Sequence, residues 1–229
     1  MKDFNIPPLS PESLYQQPVT VGLEAARQHP DACFRLRLNN NETAAELMAH
    51  LPYLPLVQEL FLEYNDALEE VPASVAQLER LENIHLTASK LHGLAPELEH
   101  LSQMALLEVE RCPNVNEFPS VVRGWKELRY LSFSGTSLTR LPDWIGKMVE
   151  LTDLVVIKSK LQVLPDGIAD LMYLERLRIY LNDGPLSIPA SLGQLTRLQQ
   201  FDHSPFEVRN GQETRLRAQL PQVAFRRIG

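Results

Sequence analysis

Residues 141–154 read LPDWIGKMVELTDL, and residues 164–177, which begin 23 positions later, read LPDGIADLMYLERL. A repeat at a fixed interval determines the architecture of a whole chain. When each unit is anchored on the residue that opens the pattern L-x-x-L-x-L, seven units of 23 or 24 residues follow one another from Cys33 to residue 203. No linker separates them, which predicts a single domain of 229 residues.

Each unit carries two apolar patterns, which we describe by counting its opening residue as position 1. Positions 4 and 6 are apolar in every unit, as at Leu154 and Val156, and such alternation is typical of a strand with one buried face. The end of the unit carries a second apolar set at helical spacing, as at Leu164, Ile168 and Leu171. Identical strands one period apart stack in parallel, and the second set provides the return between them. The sequence therefore predicts an α/β solenoid.

Composition and charge argue against several classes of partner. The net charge is −7 and no extended basic stripe is present, which predicts that the chain does not bind nucleic acid. No apolar run is long enough to span a bilayer. Prolines at positions 7, 8 and 11 interrupt the N-terminal stretch, so no Sec-type signal peptide is predicted.

Motifs for catalysis, cofactors and metals are also missing from the sequence. It contains no G-x-x-x-x-G-K-S/T, G-x-G-x-x-G, H-E-x-x-H or G-x-S-x-G. Cys33 and Cys112 are its two cysteines, and the six histidines occupy different phases of the repeat without i, i+4 pairs. We therefore predict no catalytic residue, no cofactor and no metal ion.

The full pattern of the unit, L-x-x-L-x-L-x-x-N-x-L-x-x-L-P-x-x-I-x-x-L, resembles that of leucine-rich repeat proteins over residues 33–203. The resemblance implies a curved right-handed superhelix, with parallel strands on the concave face and short helical turns or loops on the convex face. The 23-residue unit ending in L-P-x-x-I is similar to the repeats of plant proteins and of bacterial effectors delivered into host cells by type III secretion. Some such effectors carry a ubiquitin-ligase domain in which the catalytic Cys is followed two residues later by Asp. Here Cys112 is followed by Pro113 and Asn114, so we expect Cys112 to be structural.

The ends of the chain should differ from the repeats because terminal units need a polar cover. We expect a flexible leader over residues 1–18 and an N-terminal helical cap over residues 19–32, with Leu23 and Ala26 facing the first unit. The repeat array covers residues 33–203, and a C-terminal cap over residues 204–229 should contain a short helix followed by a strand near residues 223–225.

In this family, position 9 is usually Asn, whose amide bonds backbone groups of neighbouring units. Small residues, most of them able to form hydrogen bonds, occupy this position here, which predicts that a modified ladder survives. These residues are Asn41, Asn65, Ser89, Cys112, Thr136, Ser159 and Asn182.

If positions 4 and 6 face the core, positions 3, 5 and 7 face the opposite way and form the concave face. Two areas of this face are expected. One is acidic and consists of Glu59, Glu63, Glu108 and Glu110 around Phe61 and His85. The other is an apolar band of Leu106, Tyr130, Val155, Ile157 and Tyr180, flanked by Arg176 and Arg178.

Exposed apolar side chains with Tyr and Arg among them are typical of partner sites, although β-branched and aromatic residues also simply suit strands. We predict a non-catalytic, monomeric protein-interaction module that binds a partner protein through the concave face. The predicted binding residues are Phe61, Glu108, Glu110, Tyr130, Val155, Ile157, Arg176, Arg178 and Tyr180.

The resemblance leaves three roles open for such a module. It could be a type III effector acting on a host protein, the substrate-recognition or regulatory part of a leucine-rich repeat ubiquitin ligase whose catalytic domain is elsewhere, or a bacterial cytosolic scaffold. The expected location is accordingly the bacterial cytoplasm or, after type III export, the host cell.

Overall fold

The structure is a computed structural model that describes residues 6–38, 42–183, 186–204 and 212–228. Asn39 and Asn41, to which the sequence pattern assigns positions 7 and 9 of the first unit, lie outside the described residues.

Twelve strands and four α-helices are present in the described part of the chain. The strands are β1 (Val19–Val21), β2 (Arg35–Leu38), β3 (Glu59–Glu63), β4 (Glu70–Val71), β5 (Asn83–Thr87), β6 (Gly93–Leu94), β7 (Leu106–Glu110), β8 (Tyr130–Ser134), β9 (Asp153–Ile157), β10 (Arg176–Tyr180), β11 (Gln200–His203) and β12 (Ala224–Arg227). The helices are α1 (Pro11–Tyr15), α2 (Leu23–Gln28), α3 (Ala44–His50) and α4 (Gln212–Gln219).

Ten strands form one parallel sheet whose order follows the chain from β1 to β12, with β4 and β6 left out. Each pairing joins equivalent positions of adjacent units, as in Leu131 with Leu154 and Leu154 with Leu177. The predicted α/β solenoid of stacked parallel strands is therefore confirmed.

The core runs along the inner side of this sheet. Residues at positions 4 and 6 of the seven units are all at most 1% exposed, and the opening residues of the units are equally buried. Burial of a leucine side chain contributes about 1.5–3 kcal/mol, and here each such side chain packs in one continuous cluster from Leu23 to Val223. No unit has a core of its own, so neighbouring units stabilise one another.

The return segments contain the short helical turns that the sequence predicts. One is the α-helix α3, in which Thr43 and Glu46 form a capping box. The later turns are 3₁₀ helices over Ala73–Gln77, Pro96–His100, Ser120–Gly124, Asp143–Lys147, Asp166–Asp170 and Ala190–Gln194. Pro142 and Pro165 lie one residue before their helices in extended conformation, at the cap position where a missing N–H costs nothing.

Position 9 forms the expected ladder despite its substitutions. Asn65 Nδ2 donates to the Glu42 carbonyl at 3.0 Å, and Asn182 Nδ2 donates to the Val156 carbonyl at 2.9 Å. Between them, the hydroxyls of Thr136 and Ser159 are 2.9 Å apart. Small hydroxyl side chains therefore replace the amide by bonding to one another.

The N-terminal end differs from the prediction in one respect. Helix α2 buries Leu23 and Ala26 as expected, but residues 6–18 do not form a flexible leader. Leu14 packs with Phe34 and Leu56 in a second apolar cluster, to which Ile6 and Leu9 add their side chains. The three prolines that suggested an irregular leader start helix α1 or lie beside it, and apolar residues between them anchor the segment.

The side chain of Gln58 binds the backbone of this N-terminal segment at Leu9. This fully buried amide accepts from the Leu9 N–H at 2.8 Å and donates to the Leu9 carbonyl at 3.0 Å. At the other end, helix α4 and strand β12 follow the last unit, and Leu216, Leu220 and Val223 are buried there.

Candidate functional site

The strand register aligns positions 3, 5 and 7 of the units in three rows across the concave face. The position 3 row runs Arg35, Glu59, Asn83, Leu106, Tyr130, Asp153, Arg176 and Gln200. The position 5 row runs Arg37, Phe61, His85, Glu108, Ser132, Val155, Arg178 and Asp202. The position 7 row runs Glu63, Thr87, Glu110, Ser134, Ile157 and Tyr180. All nine predicted binding residues therefore lie on one face.

The N-terminal half of this face is not the acidic area that the sequence suggests. Arg35 Nε donates to Glu59 Oε2, and Arg37 Nε lies 3.4 Å from Glu63 Oε2. Glu110 forms an ion pair of 3.3 Å with Arg111 in the following turn. The acids are neutralised by basic side chains of neighbouring strands and turns, which a count of acids alone overlooks.

His85 is the centre of this charged group. Its Nε2 lies 3.0 Å from Glu59 Oε1 and its Nδ1 lies 2.9 Å from Glu108 Oε2, so a protonated ring donates to both carboxylates. Burial lowers the pKa of His85, but the hydrogen bonds to Glu108 and Glu59 outweigh burial and raise the pKa to about 8. Burial raises the pKa of Glu59, but the hydrogen bonds from His85 and Arg35 outweigh it and hold that pKa below its usual value.

Phe61 is part of the same group and is not freely exposed. Its ring stacks on the His85 ring with centroids 4.5 Å apart, and the Arg37 guanidinium lies 5.0 Å from its centroid. Phe61 is therefore engaged with residues of its own sheet, whereas the Glu108 side chain is 37% exposed and pairs with His85. That Phe61 and Glu108 anchor a partner stays a prediction.

The C-terminal half of the face carries the apolar band. Tyr130, Ile157 and Tyr180 are partly exposed. Val155 was expected to be open to solvent but is 4% exposed. It lies outside the core cluster, in the row between Ser132 and Arg178, so the residues around it on the concave face cover it. Val155 is therefore a buried neighbour of the band and not part of its exposed surface.

The two arginines beside the band differ in their surroundings. Arg176 Nη2 donates to Asp153 Oδ2 at 2.7 Å, and its Nε donates to Oδ1 of the same buried carboxylate. Arg178 forms no ion pair with any described residue, and its Nε is buried without a hydrogen-bond partner. Arg176 therefore has an ion-pair partner within the fold, whereas Arg178 has none among the described residues.

Leu181, which the sequence analysis did not include, is a further exposed apolar residue next to the end of strand β10. Position 8 of six units has a positive φ, and five of the six residues are not glycine: Tyr64, Ala88, Arg111, Lys158 and Leu181. Leu181 has φ of 56°, is 42% exposed and directly follows Tyr180. A leucine is poorly suited to both this conformation and this exposure. An apolar residue at position 8 was the sequence signal that could have identified it.

The cysteines are placed where structural residues are expected. Cys112 is fully buried, and its Sγ lies 3.4 Å from Ser89 Oγ in the position 9 ladder. Cys33 is also fully buried, and burial raises the pKa of its thiol to about 11, so it stays protonated near neutral pH.

Within the described ranges, no cluster of three or more His, Cys, Asp or Glu could hold a metal ion. None of the described helices is long and apolar enough to cross a membrane.

Comparisons with known proteins agree with this architecture. The family model of the leucine-rich repeat region matches residues 92–219. The protein SUPPRESSOR OF npr1-1, CONSTITUTIVE 1 of Arabidopsis thaliana is 30% identical over 118 residues, which are 50% of this chain. The chain spans 8% of the length of that relative.

Solved structures show the same fold at low identity. The plant peptide hormone receptor RGFR1 in complex with RGF2 superposes with a TM-score of 0.67 at 20% identity, over 91% of this chain and 34% of the receptor. The leucine-rich repeat domain of the type III effector XopL gives a TM-score of 0.58 at 23% identity, over 76% of this chain and 70% of that domain.

Repeat solenoids of this kind generally serve as non-enzymatic scaffolds for protein interaction. The matched family model covers more than half of the sequence, and the seven units stack in register. The chain belongs to the leucine-rich repeat family.

Proposed function

We propose that this chain is a non-catalytic module that binds a partner protein on the C-terminal half of its concave face. The observation that carries the proposal is the contrast between the two halves of the face. In the N-terminal half, charged side chains pair with one another, whereas in the C-terminal half partly exposed apolar side chains lie beside Arg178, which forms no ion pair with a described residue. We call Tyr130, Ile157, Arg178, Tyr180 and Leu181 the C-terminal patch.

The composition of the C-terminal patch suits protein binding. Tyrosine and arginine are enriched among residues that dominate binding energy, and apolar groups on a solvent-facing strand gain by being covered. Val155 and the Arg176–Asp153 pair lie among these residues and hold the strands around them in place. The partner therefore meets a preformed surface, which lowers the entropic cost of binding.

For the biological role, we propose that the chain is a monomeric bacterial effector that acts on a host protein after type III export. The fold shared with the XopL effector domain supports this role. Recognition by a ubiquitin ligase and a cytosolic scaffold role would use the same surface, and the identity of the captured partner distinguishes the three.

A site-specific cross-linking experiment tests the proposal. Ile157 is replaced by a photoreactive phenylalanine analogue, and in a control protein Val149, which is 48% exposed and lies outside the concave rows, receives the same group. We expect a discrete protein adduct from Ile157 alone in host or bacterial lysate. Equal adducts from both positions, or none from Ile157, would contradict a concave-face site.

A further inference from the structure

A second candidate site lies in the return segments, away from the concave face. It is a cleft of about 540 Å³ lined by Asn116, Glu117, Phe118, Thr139, Arg140 and Pro142.

The cleft exists because one unit departs from the repeat. The residue before the corresponding proline is Val71, Ala95, Leu141, Leu164 or Ile188 in other units, and each is at most 4% exposed. In the fourth unit this residue is Phe118, which is only partly buried. The centroid of its ring lies 5.4 Å from the ring centroids of both Phe133 and Trp144.

The backbone beside Phe118 also leaves the pattern of its neighbours. A second parallel ladder joins β4 to β6 and, further along, joins Arg140 to Val163 and Val163 to Ser187. In the described structure, no backbone hydrogen bond links residues 116–118 to the return segment on either side. The ladder is therefore interrupted at the cleft, and backbone groups that other units pair remain open there.

The mouth of the cleft carries two opposite charges that do not neutralise each other. Glu117 and Arg140 are both exposed, and neither forms an ion pair with a described residue. Arg176 and Asp153 on the concave face, by contrast, form an ion pair. Both charges are free to meet groups of a ligand.

We propose that this cleft binds an extended peptide segment of a partner protein, which pairs with the interrupted ladder near Thr139 and Arg140. An apolar side chain of the segment lies on Phe118 and Pro142, and its polar groups meet Glu117 and Arg140. Strand addition suits the site because main-chain hydrogen bonds supply affinity while a side-chain slot supplies selectivity. The site is independent of the C-terminal patch.

The probe is a library of acetylated, amidated pentapeptides with Val, Leu, Ile or Phe at the centre and the other positions randomised. Binding is followed by amide hydrogen exchange of residues 116–118 and 139–140. We expect exchange at these amides to slow by about tenfold or more with bound peptides. Absence of protection with the whole library would overturn the proposal.

Two comparisons make the result specific. An N-methylated analogue of a bound peptide keeps the side chains but loses main-chain donors, so equal binding by the analogue would rule out strand pairing. Phe118→Leu introduces the residue found at Leu141 and Leu164 in the next two units, and it should keep the fold while weakening binding by about tenfold. Unchanged binding by this variant would place the site elsewhere. The double variant Tyr130→Ala, Tyr180→Ala is the control, and it should bind the peptides with the same affinity as the parent protein.

Discussion

The guanidinium of Arg176 clamps the buried carboxylate of Asp153 on the neighbouring strand, with Nη2 donating to Oδ2 at 2.7 Å. Two positions further along the same strand, Arg178 has no such partner among the residues that the structure describes. The two arginines lie on the same face of β10. Their variants therefore form a matched pair, in which one tests the stability of the protein and the other tests partner binding.

Arg176→Ala should destabilise the protein, because it leaves the Asp153 carboxylate buried without its cation. The loss is expected to be about 1–2 kcal/mol, less than for a fully buried pair, since Arg176 itself is 42% exposed. Arg178→Ala should change the free energy of unfolding by less than about 0.5 kcal/mol and weaken partner binding. Urea unfolding of both variants checks the prediction, which fails if Arg178→Ala is the more destabilised.

The stability of the protein should depend on the His85 proton. The pKa of His85 is raised from 6.5 to about 8 in the folded state, so its contribution is complete below pH 6.5 and disappears as the pH rises through 8. We expect the free energy of unfolding to fall by about 1–2 kcal/mol over this interval. His85→Gln should lack the fall, and His92→Gln, at an exposed histidine, should retain it. A fall that persists in His85→Gln would assign it to another group.

The close approach of neighbouring return segments should make Gly167 intolerant of a side chain. A Cβ at this position would lie 2.0 Å from the Asp143 carbonyl oxygen, a backbone atom that cannot rotate away. Gly167→Ala is therefore expected to cost about 1–3 kcal/mol. Gly93→Ala is the control, because a Cβ there meets nothing within 4 Å. Thermal unfolding should show a lower Tm for Gly167→Ala alone, and equal Tm values would refute this packing.

The positive φ at position 8 should give opposite effects at two equivalent residues. Gly135 has φ of 67° and Ala88 has φ of 49°. Gly135→Ala should cost about 1 kcal/mol through backbone strain, since the nearest atom to its Cβ would be 3.4 Å away. Ala88→Gly should be neutral or stabilising by up to about 1 kcal/mol because it relieves the same strain. Destabilisation by Ala88→Gly would contradict the prediction. It would show that the Ala88 side chain stabilises the protein by more than the strain of its positive φ destabilises it.

The fold is well predicted from the sequence because the same pattern of residues that must be buried recurs in all seven units. Each pair such as Leu154 and Val156 has to be buried, and the constant period leaves in-register parallel stacking as the way to bury all of them. The leader was predicted wrongly because its prolines were visible in the sequence, whereas the fit of Leu14 against Phe34 and Leu56 depends on residues 20 and 42 positions away.

The candidate site is only partly predictable for a related reason. Alternation identifies which residues share the concave face but does not show how long side chains meet across strands. Arg35 and His85 reach Glu59 from both sides, so residues that look acidic in sequence are neutral as a group. Likewise, Val155 was predicted to be exposed from its position, but its neighbours cover it.

Partner capture by a double variant tests the central claim, that the C-terminal patch is a protein-binding surface. Tyr130→Ala, Tyr180→Ala should weaken capture by about tenfold or more with little change in Tm. Its control is Tyr53→Ala, Tyr173→Ala, which removes two tyrosines that are 66% and 41% exposed outside the concave rows. We predict normal capture by the control. Undiminished capture by the concave-face variant, measured against the partner that cross-links to position 157, would contradict the account.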